Sequence, residues 1–301
     1  MKPRVGFVGI GNIGEPVCRH LLEGGYELLI YDADPEALAK LEDAPAESVA
    51  SPEALASESD VVLLSLPNSD VVEEVVFGEG GLKEGLSSGK ALIDTSSSRP
   101  SSTRGISKRL AAKGIDMLDA PVSGGVLRAR EGTLSIMVGG KRAVYEKYRE
   151  IFGLFGDKIF YVGDHGAGHL VKALNNLLSA TTLASAAEAA LLARRAGVAP
   201  DTFVEVINAS NGRSYSTEVK FPRYILNRTF DDGFALGLMN KDLKIALEAA
   251  AEMEFPMPIG STLAQIWGLA AARGYGPENH TAIYAFLEDL LGEGDGGYKG
   301  S

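Results

Sequence analysis

One stretch near the start of the chain restricts its fold more than any other. Residues 4–10 form a short apolar run that includes Val5, Val8 and Ile10, read as a strand buried on both faces. The run leads into Gly9-Ile10-Gly11-Asn12-Ile13-Gly14. The pattern predicts a helix over residues 13–22, closed by Gly24-Gly25, then a second strand over residues 27–31 that ends at Asp32. In such a unit the first glycine permits a tight turn. The second lets the backbone approach a pyrophosphate, and the third lets helix and strand pack closely. The pyrophosphate then sits on the helix N-terminus, where unpaired N–H groups and the dipole favour an anion. Asp32 stands 18 residues after Gly14, near the spacing of the acid that binds a ribose 2′-hydroxyl. Gly9, Gly11, Asn12, Ile13, Gly14 and Asp32 are therefore candidate cofactor-binding residues. An acid at this place repels the 2′-phosphate of NADP, which favours NAD. A glycine turn with no ligand is the bland alternative; strand, helix, second strand and acid in one unit argue against it.

The strand–helix alternation continues. Asp34 caps and Pro35 starts a helix over residues 35–41, and Ser51-Pro52-Glu53 opens another in the same way. Residues 60–66 read as a strand that ends at Pro67. Ligands of a doubly wound sheet lie across the carboxyl ends of its strands, which places Leu66, Pro67 and Asn68 beside the cofactor. A strand over residues 91–94 precedes the hydroxyl loop Thr95-Ser96-Ser97-Ser98, which can bind cofactor or substrate, cap the helix over residues 103–113, or do both. A strand over residues 115–118 leads into Asp119-Ala120-Pro121-Val122-Ser123-Gly124-Gly125. Further strands are read over residues 134–138 and 159–162, with a helix over residues 142–152 between them. The expected first domain, residues 1–164, is thus an α/β Rossmann domain with a doubly wound, mainly parallel sheet.

Residues 165–197 read as one long interdomain helix, stopped by Gly197 with Arg194 and Arg195 in its last turn and Pro200 beyond. About 29 residues at 1.5 Å each would span roughly 43 Å. Lys172 and Asn176 are four apart and share a face, with Asn175 one position round. Asparagine is a poor interior helix residue because its amide competes for backbone hydrogen bonds. Such breaks of a local rule mark functional sites; packed polar residues, with Lys172 extending to solvent, are the structural alternative. After this helix the chain reads as helices only, over residues 201–208, 219–226, 240–252, 259–273 and 282–290. Lys241-Asp242 is placed at the start of the fourth long helix, where a solvated first turn would suit Asp242. Residues 198–292 are the expected all-α C-terminal substrate and dimerisation domain. The Gly-rich end, residues 293–301, is expected to be disordered.

A formal charge of −11 argues against nucleic acid, whose phosphates need clustered Lys and Arg. The single cysteine, Cys18, excludes an internal disulfide framework and fits a reducing compartment. The sequence begins in a strand rather than an apolar leader, so a cytoplasmic protein is expected. The only membrane-like stretch is the long helix, and its Lys172, Asn175, Asn176 and Glu188 favour burial over a membrane span. No metal site is expected.

Seven motifs together carry a resemblance: GFVGIGNIGEPV (6–17), YDADPEAL (31–38), SLPNSDVVEEVVFG (65–78), IDTSS (93–97), DAPVSGGV with GTLSIMVGG (119–140), GAGHLVKALNNLL (166–178) and MNKDL (239–243). They cover nearly the whole chain, and it resembles the β-hydroxyacid dehydrogenase family, within it the short members related to 3-hydroxyisobutyrate dehydrogenase and tartronate semialdehyde reductase. The resemblance implies an NAD-dependent enzyme that moves a hydride between the nicotinamide and a small 3-hydroxy acid or its semialdehyde. It implies Lys172 as the catalytic lysine and Ser123, Gly124 and Asn176 as substrate anchors. It also implies Lys241 as a lysine over cofactor and substrate, Ser97 at the nicotinamide side, and a homodimer or homotetramer built through the C-terminal domain.

The residues support a matching chemistry. Alcohol oxidation needs a hydride acceptor, whose reactivity belongs to the cofactor, and a base for the hydroxyl proton. An amine serves when burial brings its pKa toward the working pH. Asn176 would hold the substrate hydroxyl or the lysine, and Ser123 with the backbone N–H groups of Gly124 and Gly125 would bind a small carboxylate substrate. Of the four histidines, His165 and His169 stand near the helix start and are kept as lesser candidates. Arg213 and Tyr215 fall where relatives place substrate pocket residues, and a structural role is equally open. Two other readings are carried: an imine reductase, disfavoured by Lys172, and a non-catalytic dinucleotide-binding protein.

Overall fold

The computed structural model of the chain describes residues 2–293. The chain divides into two compact units, Met1–Lys172 and Ala173–Ser301, and the division falls inside one continuous helix, Ala167–Arg195. The expectation of disorder concerns a tail whose residues 294–301 lie outside the described residues.

The first unit is built on a nine-stranded sheet: β1 (Val5–Val8), β2 (Leu28–Tyr31), β3 (Ala46–Ser48), β4 (Val61–Leu64), β5 (Ala91–Asp94), β6 (Asp116–Asp119), β7 (Val122–Ser123), β8 (Leu134–Gly140) and β9 (Gly156–Gly163). The order is β3-β2-β1-β4-β5-β6-β8-β7, with β9 also on β8. The first six strands are parallel. β8 runs antiparallel to both β6 and β7, so the sheet is mainly parallel. Neighbouring residues along the central strands enter opposite cores. Val5, Phe7, Val61 and Leu63 join one cluster, and Val8, Val62 and Leu64 join the other. Both faces are covered by helices, which is why these strands read as unbroken apolar runs instead of alternating ones.

Register fixes the functional edge. Val8 pairs with Tyr31 and with Leu64, Leu64 with Asp94, and Asp94 with Asp119. The five strands therefore end level. The residues that follow them (Gly9, Asp32, Leu66, the serine loop and the Ser123-Gly124 segment) all leave from one carboxyl edge.

Helices Ser69–Phe77, Leu82–Gly85 and Gly125–Glu131 were not foreseen. The first contains Val71, Val72, Val75 and Val76, whose β-branching speaks for a strand. Burial of Ser69, Val72 and Val76 at helical spacing overrides that preference.

The second unit is helical. From the long helix, Ala173, Leu177, Ala180, Ala184, Ala187 and Leu191 enter a core centred on the fully buried Trp267. The helix is long and apolar enough to cross a membrane by length and composition, but this stripe is already used against protein. Next come helices Pro200–Asn208, Leu236–Glu252, Pro258–Ala270 and Ile283–Leu290. Among the described residues the only β pairing here is one isolated bridge, Ala235 with Asn279. Residues Ser216–Ile225 form a π-helix with Pro222 inside it. Proline has no N–H and its ring crowds the preceding turn, so a widened turn is the accommodation.

One expectation is corrected. The helix that carries Lys241 and Asp242 starts at Leu236, not at 240. Both residues fall past its first turn, and Asp242 is buried, so a solvated, dipole-stabilised position is not what it occupies.

Candidate active site

The fingerprint glycines can be judged by what a side chain would meet. Gly9 has φ +100°, and a Cβ there would lie 2.3 Å from the Ser65 carbonyl oxygen. At Gly14 a Cβ would lie 1.9 Å from the Gly9 oxygen, so helix and strand touch backbone to backbone. At Gly11 a Cβ would meet nothing within 4 Å. The three positions thus differ as a dinucleotide requires: two glycines are forced by the fold, and the middle one keeps an approach clear for a pyrophosphate. Helix Gly14–Glu23 begins after Ile13, with no side chain capping its first N–H groups. Asp32 is held by the turn itself, accepting from the Ile10 N–H at 2.6 Å and the Asp34 N–H at 2.9 Å. These features fit an NAD: Gly9 to Gly14 would cradle the pyrophosphate and Asp32 would take the adenosine ribose. Cys18 lies buried behind the cradle, where burial pushes its thiol pKa up, so it is no nucleophile.

On the neighbouring strand end, Asn68 caps helix Ser69–Phe77, its side-chain oxygen accepting from the Asp70 and Val71 N–H groups at 3.0 Å each. Thr95, Ser96 and Ser98 are buried in local bonds. The Thr95 hydroxyl donates to the Leu64 oxygen, Ser96 accepts from the Leu66 N–H, and Ser98 donates to Asp94. Ser97 is the half-buried member of the loop.

The two histidines resolve into structural roles. His165 Nε2 meets the Met117 carbonyl at 3.1 Å. His169 is buried, with Nδ1 on the Thr103 hydroxyl at 2.7 Å and Nε2 on the Ser96 carbonyl at 3.1 Å. It ties the serine loop to the start of the long helix. Asp119 does the same from below. Wholly buried, it accepts from the N–H groups of Gly166 (2.8 Å) and His169 (3.1 Å) and so caps that helix. Gly139 and Gly168 make room for it, since a Cβ on either would come within 2.8 Å of its oxygens. Lys172 follows His169 by three residues on the same helix, and is buried.

Ser123 and Gly124 leave β7 half-buried and exposed respectively. Gly124 (φ +135°) and Gly125 (φ +70°) both need glycine. Arg128, half-buried, lays its stem over this turn. A Cβ on Gly124 would meet Arg128 Cδ at 2.6 Å and Cβ at 2.8 Å.

In the second unit Asn176 and Asp242 are paired. The Asn176 amide donates to Asp242 Oδ2 at 2.5 Å, and both residues are buried. Lys241 Nζ stands 3.5 Å from Asp242 Oδ1. Asn175 is exposed and donates to Asn176 at 3.2 Å. Asp242 therefore orients the amide that the sequence marked as a substrate anchor, and its adjacency to Lys241 was the available signal. Asp119 and His169 were missed as helix anchors, although Asp119 stands in the DAPVSGG motif. Tyr215 is 60% exposed and Arg213 is exposed, on the segment before the π-helix. Among the described residues no group of His, Cys, Asp and Glu is arranged to hold a metal.

Residues 4–163 match the family model for the NAD binding domain of 6-phosphogluconate dehydrogenase. Residues 166–287 match that for the NAD-binding region of NADP-dependent 3-hydroxyisobutyrate dehydrogenase. The chain is 40% identical over 289 residues to 2-(hydroxymethyl)glutarate dehydrogenase of Eubacterium barkeri, covering 96% of each. It is 34% identical to human mitochondrial 3-hydroxyisobutyrate dehydrogenase over 294 residues, 96% of this chain and 88% of that one. Among solved structures it is similar to Mycobacterium tuberculosis 3-hydroxyisobutyrate dehydrogenase with L-serine, at TM-score 0.90 and 29% identity, covering 95% and 99% of the two chains.

Proposed function

This chain belongs to the β-hydroxyacid dehydrogenase family, and on that premise we propose that Lys172 is its general acid/base. The reaction is NAD-dependent oxidation of a small 3-hydroxy acid, or reduction of its semialdehyde. Relatives named for hydroxy acids over nearly the full length set aside the imine reductase and non-catalytic readings.

When bound, NAD supplies the acceptor for the hydride that leaves the alcohol carbon. Lys172 takes the hydroxyl proton in oxidation and returns it in reduction. Ser123, with the Gly124 and Gly125 N–H groups, binds the substrate carboxylate. Asn176, aligned by Asp242, hydrogen-bonds the reacting hydroxyl, and Lys241 faces cofactor and substrate. Gly9, Gly11, Asn12, Ile13, Gly14, Asp32, Leu66, Pro67, Asn68 and Ser97 form the cofactor wall, and Asp32 favours NAD over NADP. The observation that carries the reading is Lys172 buried one turn past an anchored helix start, in a fold whose glycine cradle fits NAD. We also propose a cytoplasmic homodimer or homotetramer through the helical unit. Leu178, Leu192 and Ile259 of that unit are 64%, 69% and 72% exposed, as a subunit contact would use them.

Steady-state kinetics of Lys172→Ala with 3-hydroxyisobutyrate test the assignment. A loss of about 10²–10⁴-fold in kcat is expected, with NADH binding retained. Turnover within a few-fold of wild type would remove Lys172 from the mechanism.

A further inference from the structure

Five arginines of the described chain are half-buried: Arg4, Arg19, Arg99, Arg128 and Arg194. Four of them hold carboxylates. Arg4 pairs with Glu47 and Glu58, Arg19 with Asp43, Arg99 with Asp70, and Arg194 with Glu288. Arg128 is different. Among the described residues its guanidinium takes part in no hydrogen bond, ion pair or ring contact. In a chain with 40 acidic and 29 basic residues, a carboxylate partner is not scarce. Nor is Arg128 loose, because its stem is laid against the Gly124 backbone from Cβ to Cδ. The guanidinium begins one bond beyond that contact, at Nε. An arginine with a packed stem and a fork that has no protein partner is arranged to meet an anion from outside the chain.

We propose that Arg128 binds a second carboxylate of the substrate, so that the preferred substrate is a 3-hydroxy acid bearing another acid group on its C2 substituent. The proposal rests on the reading of Ser123 and Gly124 as the anchor of the first carboxylate. Arg128 stands beside that anchor on the short helix that follows it, so an anion it meets would belong to a group next to the first carboxylate. Arginine suits the task better than lysine, because its planar fork meets both oxygens of a carboxylate at once. A substrate that lacks the second acid leaves the guanidinium without a partner, which is how a site built for a polar group discriminates against an analogue without one.

Two acids share one reacting end. 3-Hydroxyisobutyrate carries a methyl group on C2, and 2-(hydroxymethyl)glutarate carries there a two-carbon chain that ends in carboxylate. Wild type, Arg128→Ala, Arg128→Lys and Ser123→Ala are compared on both acids with NAD. Wild type is expected to prefer the diacid. Arg128→Ala should lose about 10- to 100-fold in kcat/KM on the diacid, the worth of a charge-assisted bond, while staying within about threefold on the monoacid. Arg128→Lys should fall between. Ser123→Ala should lower both acids together. Retained monoacid turnover in Arg128→Ala also shows that this variant folds. The proposal is overturned if wild type does not turn over the diacid, if Arg128→Ala affects both acids alike or neither, or if it raises the KM for NAD. If Ser123→Ala leaves both acids untouched, the anchor reading itself has failed. Loss in Ser123→Ala with no selectivity in Arg128→Ala removes only the role of Arg128.

Discussion

Asp119→Ala is the sharpest test of how the site is held. The carboxylate is wholly buried and accepts two N–H groups, those of Gly166 and His169, at the start of a 29-residue helix. Truncation leaves both donors buried without an acceptor, at about 1–3 kcal/mol each. Loss of a negative charge from the helix start adds about 0.3–1 kcal/mol. Relief from burying a carboxylate offsets part of this. The net expectation is a loss of roughly 3 kcal/mol. With a urea m-value of about 2 kcal/mol/M, the unfolding midpoint should fall by about 1.5 M. Asp119→Asn keeps an acceptor for one N–H and turns its amide toward the other, so it should lose about half as much. Circular dichroism in a urea series measures both variants. The same variants should lose turnover, because Lys172 follows His169 by three residues and moves with that turn. A midpoint shift below about 0.3 M for Asp119→Ala would refute the capping argument.

Two further outcomes follow from individual positions. Gly14→Ala and Gly11→Ala should separate folding from cofactor binding. The first puts a Cβ 1.9 Å from the Gly9 oxygen and should cost about 1–3 kcal/mol of stability as well as NADH affinity; the second meets nothing within 4 Å and should lose affinity alone, by fluorescence titration. For Asp232, burial opposes the charged form, but hydrogen bonds from His280 and Asn279 and the charge of Lys220 outweigh it, so its pKa lies below the ordinary carboxylate value. A depressed folded-state pKa contributes stability that is present above the unfolded value, about pH 4, and is lost as pH falls through the folded value. Asp232→Asn should therefore be less stable than wild type at pH 7, and the gap should close in denaturation series below about pH 4.

The fold was legible wherever local pattern and tertiary context agree. Unbroken apolar strands, the glycine fingerprint and the Gly197 stop each state their own geometry, and the structure returns them. Valine-rich residues 69–77 were not read as a helix, because their β-branching and their burial point in opposite directions and burial decides. The start at Leu236 was missed because Ala235 offers no side-chain cap to announce it.

The candidate site divides in the same way. Lys172, Asn176, Ser123 and Lys241 stood out as polar residues in motifs, since chemistry needs particular residue types and those are written in the chain. The positioning roles of their partners did not stand out. Asp119 caps a helix that begins 48 residues later, His169 joins Thr103 and Ser96, and Asp242 orients an amide 66 positions away. Each is an ordinary polar residue in its own neighbourhood. Hydrogen bonds between distant segments depend on which strand ends lie level and which helices pack, and that register exists only once both cores have formed. Local pattern along the chain carries the class of fold and the proposed reacting groups; packing between distant segments supplies what holds those groups in place, and leaves Arg128 alone among the half-buried arginines without a carboxylate.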